Sequence, residues 1–151
     1  MTQHLNAHWT LHIDGSASPN PGRMAMGAWL QAPNGQEHTL SRLLPGTGCN
    51  NEAELRALLI ALPWAVALGA RPLLICTDSR LLVDHVSPGT KAPHPRLQDL
   101  VASAQGLVDE HPSLSLQWVP RHRTAQADAL ARAALGMPPK PVKTPHPARR
   151  T

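Results

Sequence analysis

Four carboxylates stand where their chemistry can be combined: Asp14, Glu54, Asp78 and Asp128. Each also has an ordinary use. Asp14-Gly15 has the composition of a turn, and Asn51-x-x-Glu54 has the spacing of a capping box. Asp78 can cap a helix beginning at Ser79, and Asp128 lies near a helix N-terminus, where negative charge is favoured. As a group they pose a problem, because clustered carboxylates repel and cannot all ionise without cations between them. Hard divalent ions with oxygen ligands are the natural counter-charge. Two such ions about 3.5–4 Å apart can stabilise the attacking and leaving oxygens of a phosphodiester displacement. Four carboxylates and two Mg²⁺ then sum to zero, which leaves a substrate phosphate and an attacking hydroxide to geometry and further cations.

Elements that would bring these residues together can be read from the pattern. Trp9 to Asp14 alternates as a first strand, Met24 to Gln31 is a second, and Asn34-Gly35 is a hairpin signal leading into a third, Glu37 to Leu44. A helix spans about Asn51 to Leu68, with Pro63 expected to kink it or break it in two. Leu73 to Thr77 is a short apolar run, a central parallel strand. A short helix, Ser79 to Val86, a loop, Ser87 to Pro95, and a helix, Leu97 to Glu110, follow. Leu114 to Val119 is a fifth strand, and Thr124 to Leu135 an amphipathic last helix. The order predicts an α/β fold: a five-stranded mixed sheet, three antiparallel strands then two parallel, with helices on both faces. In it Asp14 ends the first strand, Asp78 ends the neighbouring fourth, Glu54 opens the long helix and Asp128 lies in the first turns of the last.

The chain has 151 residues, enough for one domain and too few for two ordinary ones. Apolar residues at 42% exclude a mostly disordered chain. Glu54, Arg56 and Pro63 interrupt the longest apolar stretch, so no membrane span is expected. No basic-then-apolar leader opens the sequence. Two cysteines, Cys49 and Cys76, make neither a disulfide framework nor a zinc site, and a reducing cytoplasm is the expected compartment. Trp9, Trp29, Trp64 and Trp118 read as core. Residues 1–8 read as an N-terminal tail, 9–136 as the folded domain and 137–151 as a disordered, basic, proline-rich tail. The formal charge of +4 resides entirely in Lys140, Lys143, Arg149 and Arg150, so residues 1–136 are balanced. The high pI is therefore a property of the tail.

The strings around the carboxylates are more specific than the topology. Asp14-Gly15-Ser16 with Asn20-Pro21-Gly22, Asn50-Asn51-Glu52-Ala53-Glu54-Leu55-Arg56-Ala57-Leu58, Thr77-Asp78-Ser79, and Ala127-Asp128-Ala129-Leu130-Ala131 occur in this order. Together they resemble ribonuclease H of type 1, over roughly Trp9 to Leu135. The resemblance implies an RNase H-like domain, an endonuclease that cuts the RNA strand of RNA/DNA hybrids. It implies two Mg²⁺ per site, with Mn²⁺ as the alternative ion, and 5′-phosphate and 3′-hydroxyl ends. Asp14 would bridge both metals, Glu54 would hold one on the 2′-hydroxyl side, Asp78 would hold the ion that activates water, and Asp128 would help hold the other. The 2′-hydroxyl is what tells RNA from DNA. Asn20, Asn50, Asn51, Ser79 and Arg80 match positions that grip the hybrid. The partner is the hybrid alone, with no membrane and no obligate protein, and monomer is the default.

Three departures from the family pattern stand out. Cys49 replaces the Thr that commonly precedes the Asn pair, and a thiol is a poor phosphate ligand. Ser87 to Pro95 is short, so the basic helical protrusion of many members is missing and only Lys91 remains. Val119-Pro120-Arg121-His122-Arg123 replaces a glycine-bracketed histidine loop. There either His122, with a pKa suited to proton transfer, or Arg121, as a fixed cation on phosphate, can assist; the ordinary alternative is that both only make a basic rim for nucleic acid. Two other readings compete: a catalytically silent hybrid or double-stranded RNA binder on the same fold, and a proofreading-type exonuclease. The latter usually opens with Asp-x-Glu, which this chain lacks.

Overall fold

A computed structural model describes residues 7–86 and 95–140. Its strands are β1 (Trp9–Ser18), β2 (Gly22–Gln31), β3 (Glu37–Gly48), β4 (Leu73–Thr77) and β5 (Leu114–Trp118). The helices are α1 (Asn50–Ala67), α2 (Arg80–His85), α3 (Gln98–Asp109) and α4 (Ala125–Ala134), with 3₁₀ turns at Pro95–Leu97 and Arg121–Thr124. The strands make one sheet in the order β3-β2-β1-β4-β5. β1–β2 and β2–β3 pair antiparallel, β1–β4 and β4–β5 parallel. This is the mixed sheet that the sequence predicts.

β4 falls where its apolar run places it. β1 does not end at Asp14; it continues through Gly15-Ser16-Ala17-Ser18, paired with Arg23 to Met26 of β2. Gly15 has no left-handed φ, so Asp14-Gly15 is extended strand, and the chain reverses at Pro19–Pro21 instead. Asn34-Gly35 does turn, with Gly35 at φ 92°. Helix α1 is a single helix that continues through Pro63. A proline removes one backbone bond, and here it falls on the exposed side of α1, where water can satisfy the freed carbonyl. The short loop read at Ser87 to Pro95 lies, apart from Pro95, outside the described residues, as do residues 1–6 and 141–151.

Two glycines set how close the helices come. A Cβ on Gly15 would meet the Ala53 carbonyl and lie 2.7 Å from Glu54 N, both α1 backbone. A Cβ on Gly27, opposite Asp14 on β2, would meet the Ala127 carbonyl and lie 2.7 Å from Ala131 N of α4. Cross-strand partners share a face and neighbouring residues point to opposite faces. Helices α1 and α4 therefore clamp β1 from opposite sides, one residue apart. The main core lies on the α1 side, where Leu11, Ile13, Met26 and Ile75 pack with Leu55, Leu58 and Leu62 of α1 and Val101 and Ala104 of α3.

Candidate active site

Parallel pairing of β1 with β4 stops at His12↔Cys76, while β4 stays paired with β5 to Thr77↔Trp118. Beyond His12, β1 diverges to pair with β2 alone. Asp14 on β1 and Asp78 just past β4 flank this opening, at the carboxyl ends of the parallel strands where α/β sheets bind ligands. Gly15 lets α1 bring Glu54 to the same place. One oxygen each of Asp14, Glu54 and Asp78 lie within 4.8 Å of one another. Asp128, on the first turn of α4, lines the same pocket.

Their hydrogen bonds depart from the ordinary uses that the sequence offers. Cys49, not Asn51, caps α1: its Sγ accepts from Glu52 N at 3.4 Å. Glu54 caps nothing and accepts from Gly15 N at 3.0 Å. Ser79, not Asp78, caps α2, accepting from Leu82 N at 3.2 Å. Asp78 Oδ2 lies 2.9 Å from the Thr124 hydroxyl and 3.8 Å from Arg121 Nε. The Thr124 Oγ1 is also 3.0 Å from the Arg121 carbonyl, and its one proton serves either acceptor.

The cluster is electrostatically strained. Asp14 is 5% exposed, and its Oδ2 is buried without a partner among the described residues. Burial, then the charges of Asp78 and Asp128, push its carboxyl up to about 8, with Lys140 pulling the other way. Burial, then Asp14 and Asp78, also raise Glu54 well above the usual carboxylate range, opposed by the Gly15 amide and Arg121. An orphaned buried oxygen among converging carboxylates is what a hard divalent cation satisfies. Asp14, Glu54 and Asp78 fit such an ion, with Asp128 beside them.

The other sequence-predicted residues divide. Asn50, Asn51, Ser79, Arg80 and Arg121 line the pocket of about 410 Å³ with the carboxylates; Asn20, Cys49 and His122 do not. Asn20 acts one step back, its Oδ1 accepting from Asn50 N at 3.0 Å, while Asn50 Oδ1 accepts from Ala17 N at 2.7 Å. The sulfur of Cys49 is used as a helix cap. The Arg80 guanidinium lies 4.2 Å over the Trp118 ring, so Trp118 is a platform for a cation rather than core. Trp29 also departs from the core reading: it stacks on His12, ring centroids 5.2 Å apart, and its indole nitrogen has no partner among the described residues. Trp9 and Trp64 pack partly buried against the core. Sequence reasoning missed Thr124, whose only signal is its place before the last helix. It also missed Lys140, which lines the pocket from the segment after α4.

Known proteins are similar to this chain in sequence and in fold. A sequence profile of the Reverse transcriptase-like family matches residues 12–134. Bifunctional protein Rv2228c of Mycobacterium tuberculosis is 36% identical over 127 residues, which covers 83% of this chain and 35% of that protein. This chain thus spans about a third of the length of the mycobacterial relatives that it matches. The solved N-terminal RNase H domain of Rv2228c is 34% identical with a TM-score of 0.74, over 83% of this chain and 97% of that one. LC11-RNase H1, from compost by a metagenomic approach and solved with an RNA/DNA hybrid, has a TM-score of 0.75 at 28% identity, over 85% and 96% of the two chains. With this strand order and these similarities over nearly all the described residues, the chain belongs to the ribonuclease H type 1 family.

Proposed function

We propose that this chain is a ribonuclease H: it hydrolyses the RNA strand of RNA/DNA hybrids and leaves 5′-phosphate and 3′-hydroxyl ends. The observation that carries this reading is the convergence of Asp14, Glu54 and Asp78 oxygens within 4.8 Å, with one Asp14 oxygen buried and unsatisfied. Asp14, Glu54, Asp78 and Asp128 would hold two divalent cations, Mg²⁺ or Mn²⁺, which when bound activate water and stabilise the leaving 3′-oxygen.

The remaining work falls to the chain itself. Gly15 N and the clamp of α1 on β1 hold Glu54 in place against its neighbours' repulsion. Thr124 and Arg121 orient Asp78, and Arg121 is a fixed cation for a phosphate oxygen. Asn50 spends its oxygen on Ala17 N, which leaves its amide protons to donate to the substrate. Ser79, having accepted from Leu82 N, keeps a hydroxyl proton for a phosphate or a 2′-hydroxyl. Arg80, held over the ring of Trp118, offers charge to the backbone of the nucleic acid. Of the two candidates in the Arg121-His122 turn, Arg121 has the better claim because it lines the pocket. The hybrid bound in the LC11-RNase H1 structure supports the substrate class.

Purified chain with Mg²⁺ should cut the labelled RNA strand of a hybrid and leave its DNA strand, RNA duplex and DNA duplex intact. Asp14→Asn and Asp78→Asn should each lower the rate by about a thousandfold or more, the scale expected when charge stabilisation at the reacting atoms is lost. A hybrid bound but uncut would make the chain a silent binding module. Cleavage that survives Asp78→Asn would overturn its assigned role.

A further inference from the structure

Lys140 belongs to the segment after the last helix, yet it lines the carboxylate pocket. The path that takes it there is built. Gly136 turns the chain with φ 74°. Met137 N donates to the Arg132 carbonyl at 2.9 Å, and Arg132 Nε donates to the Pro138 carbonyl at 2.7 Å. Pro138 and Pro139 have fixed φ, so little chain entropy is lost in holding this return. At its end Lys140 Nζ stands 4.0 Å from Asp128 Oδ1, with the side chain half exposed.

The charges around the site explain why a cation belongs there. Four carboxylates balance two divalent ions, so a bound phosphodiester and its anionic oxygen nucleophile bring two negative charges that nothing yet offsets. Arg121 stands beside Asp78 at 3.8 Å, and Lys140 stands beside Asp128. We propose that Lys140 is a substrate-binding residue: it holds a backbone phosphate of the RNA strand on the Asp128 side, as Arg121 does on the Asp78 side. The inference rests on the hybrid-cleaving reading above. Lysine suits the task, with a compact ammonium on a flexible stem that turns between partners. A half-exposed pairing at 4.0 Å is a weak hold, so the ammonium leaves Asp128 readily when a phosphate arrives.

The test compares full-length wild type, Lys140→Ala and Lys140→Arg. Affinity for a fluorescent RNA/DNA hybrid is read by anisotropy over a range of KCl. Ca²⁺ replaces Mg²⁺, because its looser coordination suits binding rather than chemistry. Ca²⁺ affinity without hybrid is read by calorimetry. Lys140→Ala should weaken hybrid binding by about three- to tenfold at low salt and flatten the slope of log affinity against log salt by about 0.7–0.9, one phosphate contact. Lys140→Arg should keep both. A Lys140→Ala protein with wild-type hybrid affinity and slope overturns the inference, and one whose only change is tighter Ca²⁺ binding makes Lys140 a competitor of the metal. Wild type that binds no hybrid at all sinks the functional reading itself, and the inference with it.

Discussion

Asp14 is held in a state that it would not choose in water. Its carboxyl, at about 8 rather than the ordinary 3.8, keeps its proton in the folded, metal-free chain near neutral pH while the unfolded chain has lost it. The group therefore favours folding fully below pH 3.8, and that contribution is lost as pH rises toward 8. Without its charge the residue should be a better component of the metal-free fold. In EDTA, Asp14→Asn should raise the melting temperature at pH 8 by about 5 °C or more, and by little at about pH 3, below the ordinary 3.8, where most of both states carry the proton. Mg²⁺ should reverse the ranking by stabilising wild type more than the variant, since a ligand that binds only the native state adds stability by mass action. Calorimetric scans at the two pH values decide it; equal melting temperatures at pH 8 would mean that Asp14 ionises there at no cost. Proton release on metal binding follows from the same shift, because the ion must displace the proton from Asp14. The carboxylates were legible in the sequence because few residue types can do this chemistry. Thr124 and Lys140 were not, because a threonine before a helix and a lysine among prolines have many ordinary uses.

Among the elements, close approach decides whether the carboxylates meet. Gly15→Ala and Gly27→Ala each push a methyl into helix backbone that cannot yield as a flexible side chain would. Each should cost about 1–3 kcal/mol by overpacking and lower activity more than a remote change of equal stability cost, since Glu54 or Asp128 moves with its helix. Gly106, in α3, has open space around the place a Cβ would take, among the described residues, so Gly106→Ala should stabilise by up to about 1 kcal/mol through helix propensity. Urea melts of the three variants give the signs; a Gly15→Ala protein as stable and active as wild type would show that α1 is not clamped there. The same local physics sets what a sequence reading can reach. Leu73 to Thr77 was legible to the residue, because a buried parallel strand is one apolar run bounded by Pro72 and Asp78. The end of β1 was not, because Asp14-Gly15 has turn composition and only its pairing with β2 keeps it extended. The caps of α1 and α2 moved by a residue or two for a related reason: Cys49 is a weak acceptor that no capping preference picks out, and Ser79 and Asp78 are equally good caps on composition alone.

At the scale of the whole molecule, charge is divided between a balanced domain and a basic C-terminal stretch. Residues 1–136 carry ten basic and ten acidic side chains. If four of those acids are neutralised by two divalent ions, the domain presents a net positive charge to a hybrid only when the metal is bound. Metal would then govern attraction as well as chemistry. The C-terminal stretch separates into two parts on this view. Lys140 lines the pocket at the end of a segment held back on α4, whereas Lys143, Arg149 and Arg150 lie farther along the chain. Removing residues 141–151 should weaken hybrid binding at low salt, with the loss fading as salt rises, and should leave KM at moderate salt and the cleavage positions unchanged. Removing residues 137–151 should add a further loss at low salt and flatten the slope of log affinity against log salt by about 0.7–0.9 more, because one phosphate contact at the site has gone. The two truncations assayed on one end-labelled hybrid at about 50 and 200 mM KCl distinguish the parts. Two truncations that behave alike at both salts would mean that Lys140 makes no contact of its own with the hybrid. A shifted cleavage pattern in the shorter deletion would instead mean that the last eleven residues help to set where the RNA is cut, and so act as more than screened charge.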